Sequence, residues 1–131
     1  MITRQGFLRA ACVLALVAIG TGPALAQDAI KTGVFEGASG HATSGGVQIV
    51  AIDGKFVIRL GADFVNDGTA PDITVALGKD GYDDATNLGK LRQTSGAQDY
   101  TLPAGIDPAN YNQVLIWCKK FAVPLGVAPL G

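Results

Sequence analysis

The sequence predicts an all-β fold, a compact antiparallel β-sandwich of about six to nine short strands, and three observations support this class. Short apolar runs alternate with a period of two residues. After residue 26, 15 of the 18 glycines and 5 of the 6 prolines are dispersed between these runs instead of gathering in one linker. No segment after residue 26 keeps a helical period over three turns, so we expect helix to amount to one turn near residues 107–111.

The first 26 residues carry the features of a removable export signal. Arg4 and Arg9 give a basic start, small and branched apolar residues follow, and a small-residue A-x-A site ends at Ala26. The apolar run is too short to anchor the chain in a bilayer. We predict a cleavable signal peptide over 1–26, one domain over 27–131, and a periplasmic or secreted location without stable membrane insertion after cleavage. The general secretory and twin-arginine routes both stay open at this point.

The charge of the predicted mature chain argues against a nucleic-acid partner. All 11 acidic residues but only 8 of the 10 basic residues lie after residue 26, which leaves a net charge of −3. Phosphate recognition requires clustered lysine and arginine, and the mature chain has no such cluster. The sequence does not indicate an oligomeric state.

Residues 47–52 and 55–60 are apolar runs that predict the two strands of a β-hairpin. Asp53 and Gly54 separate them, and this pair is typical of a two-residue turn whose backbone needs positive φ. The second run alternates apolar and basic side chains, as expected of a strand with one wet face. Residues 72–77 show the same alternation and predict another strand.

The second half of the chain begins with a polar stretch. Residues 78–98 predict a long loop with one short strand at 88–91. Strands are expected again at 100–102 and at 113–118, the most aromatic and β-branched run of this half. Apolar residues alternate from Phe121 onward and predict the last strand.

The motifs of common hydrolases, thiol oxidoreductases and phosphate-binding loops are absent from the sequence. His41 is the only histidine, so one chain cannot build a zinc site from several imidazoles. Asp80, Asp83 and Asp84 have a spacing that fits no calcium loop. No metal site is predicted, and an electron-transfer or binding domain is favoured over a stand-alone enzyme.

Cys118 is the main candidate for chemistry. Cys12 lies within the predicted signal peptide, so the mature chain would keep one cysteine and could form no internal disulfide in an oxidising compartment. One interpretation is a small buried core residue, since free cysteine is among the most buried residue types. The other is a redox thiol whose thiolate is favoured by the neighbouring Lys119 and Lys120. Such a residue could exchange electrons directly or bind a haem iron.

Two further residues are candidates at this site. Trp117 adjoins the cysteine, although strand alternation places its side chain on the opposite face from Cys118. His41 lies in a small polar segment, where it could approach a ligand or simply order a turn. Because methionine is absent after residue 26, His41 and Cys118 are the strong candidates for axial haem ligands.

The mature chain resembles the DM-thirteen domain, also called the electron-transfer DM domain. The most specific blocks are residues 96–103, GAQDYTLP, and 116–121, IWCKKF. Further pieces follow the family's order at residues 33–35, 41–45, 60–64, 70–72 and 121–130. The resemblance implies a β-sandwich-like extracytoplasmic domain. Its signature cysteine, matched here by Cys118, would act in redox chemistry as a bare thiol or by holding a prosthetic group such as haem.

Two functional hypotheses result. The first is an exported soluble domain that takes part in electron transfer or thiol redox chemistry through Cys118, with Trp117 and His41 as supporting residues and haem as the candidate cofactor. Because no cytochrome, DOMON or transmembrane partner accompanies the domain in this sequence, we expect a separate redox partner protein. The alternative is a non-catalytic extracytoplasmic binding or adhesion module in which Cys118 is a buried core residue.

Overall fold

A computed structural model describes residues 29–131, so the predicted signal peptide lies outside the described residues. The described chain contains ten strands and two single-turn 3₁₀ helices. The strands are β1 (Ala29–Val34), β2 (Glu36–Gly37), β3 (Thr43–Ser44), β4 (Gly46–Ile52), β5 (Lys55–Leu60), β6 (Val65–Asn66), β7 (Ile73–Gly78), β8 (Gln98–Thr101), β9 (Gln113–Cys118) and β10 (Val123–Pro129), and the 3₁₀ turns are Asp84–Thr86 and Pro108–Asn110. Within residues 29–131, no helix is long and apolar enough to cross a membrane.

Two four-stranded antiparallel sheets make up most of the fold. Sheet A has the order β1-β4-β5-β8, sheet B has the order β2-β10-β9-β7, and β3 pairs with β6 in a small separate ladder. The predicted all-β antiparallel sandwich is confirmed. Seven strands have four or more residues, and three two-residue strands bring the total to ten. The predicted helical turn is found at Pro108–Asn110, where the Asp107 side chain accepts a hydrogen bond from the Ala109 N–H.

The predicted hairpin joins β4 and β5. Ile52 pairs with Lys55, so Asp53 and Gly54 alone form the turn. Both turn residues have positive φ, 51° at Asp53 and 78° at Gly54, as a type I′ turn requires. The sequence prediction for this element is therefore confirmed at the level of single residues.

The hydrophobic core lies between the two sheets. Sheet A contributes residues such as Ile49 and Ile58, and sheet B contributes residues such as Val75 and Ile116, all fully buried. The inward positions of β9 are those predicted by alternation: Val114, Ile116 and Cys118. Since these side chains pack in one core, the position of Cys118 is fixed by the packing of both sheets.

The start of the described chain belongs to both sheets. Strand β1 pairs with β4 in sheet A, and β2 pairs with β10 in sheet B. Phe35 alone separates the two strands, and its side chain is buried. The backbone of Thr32 also exchanges hydrogen bonds with Gly131, at 3.2 and 2.9 Å. Residues 29–37 thus connect the sheets along one edge.

Residues 82–91 run antiparallel along the outer edge of β7. They make isolated bridges at Gly78 with Tyr82 and at Thr74 with Lys90. A short strand was predicted at 88–91, and the structure has a single bridge there. Gly89 has a φ of 97°, which interrupts regular strand geometry.

Thr86 joins this segment to β7. Its buried Oγ1 accepts a hydrogen bond from the Leu77 N–H at 3.0 Å and lies 2.7 Å from the carbonyl oxygens of both Leu77 and Asp83. These bonds satisfy backbone groups at the edge of sheet B. The hydroxyl therefore positions the loop that carries Tyr82.

Candidate functional site

Cys118 is the last residue of β9, and its neighbours across the sheet are Ile73 on β7 and Val123 on β10. Its side chain is 0% exposed and belongs to the core. The Sγ atom donates a hydrogen bond to the Pro71 carbonyl oxygen over 3.1 Å. The thiol is thus enclosed and has a defined polar partner.

Two segments beside the buried thiol are exposed. Pro71 and Asp72 are exposed on one side, and the turn after β9 is exposed on the other. The Lys119 N–H donates to the Asp72 carbonyl oxygen over 3.0 Å, which joins the two segments. In the turn, Phe121 is 62% exposed. β10 begins at Val123, two residues later than the apolar pattern predicted, because Ala122 has a φ of 54°.

His41 lies beside the beginning of segment 67–71, whose other end, Pro71, accepts the hydrogen bond from Cys118. Its Nδ1 is 3.1 Å from Oδ1 and 3.2 Å from Oδ2 of Asp67, and the Thr69 Oγ1 is 3.2 Å from the same nitrogen. Asp67 also accepts a hydrogen bond from the Ala42 N–H over 3.1 Å. His41 therefore ties the loop before β3 to the segment that ends at Pro71.

The Asp67 carboxylate is stabilised in its charged form. Partial desolvation by itself raises its pKa, but hydrogen bonds from the Thr69 N–H, His41, the Ala42 N–H and the Thr69 hydroxyl together lower the pKa to about 2. The His41 and Asp67 side chains remain 23% and 27% exposed. This hydrogen-bonded pair thus lies near the surface, where solvent screens its electrostatic interaction.

Trp117 lies on the outer face of β9, as strand alternation predicted. Its ring stacks on Tyr82, with centroids 3.8 Å apart and planes inclined by 5°. The Tyr82 hydroxyl donates to Asp84 Oδ1 over 3.1 Å and accepts from Asn87 Nδ2 over 3.0 Å. Trp117 therefore supports a second polar and aromatic cluster, separate from the thiol.

The three candidate residues occupy different environments. His41 contacts Asp67 at one end of segment 67–71, and Cys118 donates a hydrogen bond to Pro71 at the other end. Trp117 lies on the face of β9 opposite the thiol. Two residues beside these candidates were not predicted: Asp67, which pairs with the histidine, and Tyr82, which pairs with the tryptophan. An aspartate two residues before Thr69 is typical of a local turn, but that signal does not identify the histidine as its partner.

The residues around Cys118 do not fit a haem. Iron ligation needs an open side on the sulfur, whereas this sulfur is enclosed by the core and already donates to Pro71. Two surface cavities of about 690 and 390 Å³ are lined by other residues. Within residues 29–131, no group of three or more His, Cys, Asp or Glu side chains is arranged to hold a metal ion. No step of the chemistry is therefore assigned to haem.

A family model described as "Electron transfer DM13" matches residues 34–130, which include every strand from β2 to β10. No curated protein and no solved structure matches the chain.

Proposed function

The chain belongs to the electron transfer DM13 family, and from this membership we propose that it is an exported domain that transfers electrons by thiol chemistry at Cys118, with a separate redox protein as its partner. The predicted signal peptide supports export, and the absence of another cysteine after residue 26 supports an intermolecular reaction.

One observation carries the assignment to Cys118. Its sulfur is buried, but its hydrogen-bond acceptor is the carbonyl of Pro71, an exposed residue. The thiol is thus hydrogen-bonded to a backbone segment that reaches the surface. Displacement of Pro71 and Asp72 would expose the sulfur without separating the two sheets, because local openings require less free energy than global unfolding.

The chemistry that fits this position is thiol–disulfide exchange. Cys118 loses its proton to solvent, and its thiolate attacks one sulfur of a partner disulfide. A bond forms between Cys118 and that sulfur while the partner S–S bond breaks and the second sulfur leaves as a thiolate. In this step the Cys118 sulfur is formally oxidised by one electron and the leaving sulfur is reduced by one, so the products are a mixed disulfide and one free thiolate on the partner.

His41 has a positioning role in this proposal. Its contact with Asp67 fixes the beginning of segment 67–71, whose end accepts the hydrogen bond from the sulfur. Replacement of His41 by alanine should therefore increase the frequency of local opening at Cys118. The measurable result is faster modification of the thiol at unchanged pH.

The test is native-state modification of Cys118 by iodoacetamide and by glutathione disulfide at increasing urea concentrations. We expect modification through a local opening, with a rate that depends weakly on urea at low concentration because little surface is exposed. A visible spectrum of the exported protein should show no haem band. A rate that follows global unfolding at every urea concentration would contradict the proposed role.

A matched control uses a second position on the same face of β9. In a Cys118→Ala background, Val114→Cys places a thiol in the core four residues away, at a position that is also fully buried. This thiol should react only through global unfolding. If the modification rates of the two thiols depended equally on urea, Cys118 would be no more accessible through local opening than another buried core position.

A binding module is the second candidate, and one feature favours it. The cavity of about 690 Å³ is lined in part by Phe56 at the start of β5 and by Leu102 and Ile106 in the loop after β8. Apolar walls of this kind suit a small ligand or a peptide side chain. In this alternative Cys118 is only a core residue, and its modification follows global unfolding.

A further inference from the structure

We propose that the stacked rings of Tyr82 and Trp117 form a one-electron relay on the outer face of sheet B, with Asp84 as the proton acceptor for Tyr82. This inference rests on the electron-transfer role proposed above. It places a second redox site on the face of β9 opposite Cys118 and identifies its reaction partner as a one-electron oxidant, such as the oxidised metal centre of another protein.

The geometry of the two rings is the first support. Tyrosine and tryptophan are the two side chains most easily oxidised by one electron after the cysteine thiolate. Here their planes are nearly parallel, at 5°, and their centroids are 3.8 Å apart. Such overlap allows rapid electron exchange between the rings. Both side chains are partly exposed, so an external oxidant can approach the pair.

A hydrogen-bond network fixes the pair in this orientation. Asn87 Nδ2 donates to the Tyr82 hydroxyl over 3.0 Å and to Thr74 Oγ1 over 2.9 Å. The Thr74 hydroxyl in turn donates to the Trp117 carbonyl oxygen over 3.0 Å. One amide thus connects the tyrosine hydroxyl to the backbone of the tryptophan. A network of this kind limits reorganisation when the charge on the rings changes.

The proton path is the second support. Oxidation of a phenol makes it a strong acid, so a tyrosine can be oxidised at a moderate potential only where a base accepts its proton. The Tyr82 hydroxyl donates directly to the Asp84 carboxylate over 3.1 Å. Burial raises the pKa of Tyr82, and Asp84 and Asp83 raise it further against the opposing effect of Asn87. The resting side chain is therefore a protonated phenol with a carboxylate already in place.

One electron and one proton leave Tyr82 in this reaction. The oxidant takes one electron from Trp117 and leaves an indole radical cation. Tyr82 supplies an electron to the indole while its O–H bond breaks and the proton moves to Asp84, where a new O–H bond forms. The products are neutral Trp117, a neutral tyrosyl radical, protonated Asp84 and the oxidant reduced by one electron. A returning electron and the proton from Asp84 restore the starting state.

The test is flash oxidation of the purified protein by photogenerated ruthenium(III) tris-bipyridine, followed by transient absorption and electron paramagnetic resonance. We expect an indole radical that decays as a tyrosyl radical appears. Tyr82→Phe should abolish the tyrosyl signal and lengthen the life of the indole radical. Asp84→Asn should preserve the stack but block the proton transfer, so the indole radical should persist there as well.

Tyr111→Phe is the matched control. Its hydroxyl also donates to a carboxylate, Asp83 Oδ2 at 3.3 Å, but within the described chain no aromatic stack involving Tyr111 is found. This variant should retain the wild-type tyrosyl signal. A tyrosyl signal that survives Tyr82→Phe, or one that is unchanged in Asp84→Asn, would overturn the proposal.

The experiment also separates this inference from the proposed thiol function. The flash oxidant replaces the natural partner, and the measurement can be repeated in Cys118→Ala. A relay that works in that variant while the wild-type thiol reacts only by global unfolding would support the relay and reject the thiol role. A thiol that reacts through local opening, together with no radical transfer from Tyr82, would support the thiol role and reject the relay.

Discussion

Replacement of Thr86 by valine tests how residues 82–91 are attached to sheet B. Valine has nearly the same shape as threonine, so the change creates almost no cavity and removes only the hydroxyl. In the folded protein this hydroxyl is the acceptor for the Leu77 N–H and a donor toward the carbonyl groups of Leu77 and Asp83. All the lost interactions are buried or partly buried.

The lost hydrogen bonds determine how far Thr86→Val lowers the free energy of unfolding. A buried N–H group left without an acceptor costs about 1 to 3 kcal/mol, and loss of the hydroxyl's own donated bond adds about 1 kcal/mol. The Leu77 carbonyl keeps a bond from the Asp83 N–H at 3.3 Å, which limits the loss. We therefore expect Thr86→Val to lower the free energy of unfolding by about 2 to 4 kcal/mol.

Urea unfolding measured by tryptophan fluorescence and circular dichroism provides the assay. Trp117 is the only tryptophan in the chain and stacks on Tyr82, so its emission also reports whether the loop remains in place. Thr101→Val, an exposed strand position, is the control and should change stability by less than about 0.5 kcal/mol. A Thr86→Val protein within about 0.5 kcal/mol of wild type, with unchanged emission, would refute this account of the loop.

Three further changes give distinct expectations. Gly54→Val should lower the free energy of unfolding by about 1 to 2 kcal/mol, because the φ of 78° is unfavourable for valine. No atom lies within 4 Å of the added Cβ, so no steric clash contributes. An unchanged free energy of unfolding in urea would contradict the turn geometry. Gly126→Ala should cost at least about 1 to 3 kcal/mol, because its Cβ would lie 2.6 Å from Thr43 Cβ, and a neutral result would show that β3 can move. Asp67 has a folded pKa of about 2, below its unfolded value of about 3.9, so its contribution is present above pH about 4 and is lost as pH falls toward 2. In Asp67→Asn the stability should therefore depend less on pH in this window, as measured by acid titration followed by circular dichroism. An unchanged pH profile would show that the Asp67 carboxylate does not contribute to stability.

Local sequence patterns were sufficient for the elements that depend on neighbouring residues. The β4–β5 turn was predicted because Asp53 and Gly54 suit positive φ wherever they occur between strands. The inward side of β9 was predicted because strand alternation needs no knowledge of the partner strand. The two-residue strands β3 and β6 were missed, since elements of that length carry no periodic signal.

The candidate site depends on contacts that local patterns do not encode. His41 and Asp67 are 26 residues apart and meet only because β3 pairs with β6. Tyr82 belongs to a stretch whose polar composition predicted a loop, and its position over Trp117 follows from the path of that loop along β7. The hydrogen bond of Cys118 likewise depends on Pro71, which lies outside its own strand.

The connection formed by residues 29–37 has a consequence for the order of folding. These residues come first in the described chain, yet β2 pairs with β10 and Thr32 pairs with Gly131. β2 therefore cannot take its place in sheet B until β10 has been synthesised. Contacts between such distant residues slow folding, because a long loop must close before they form. The two sheets can be joined along this edge only after residues 123–131 have been synthesised.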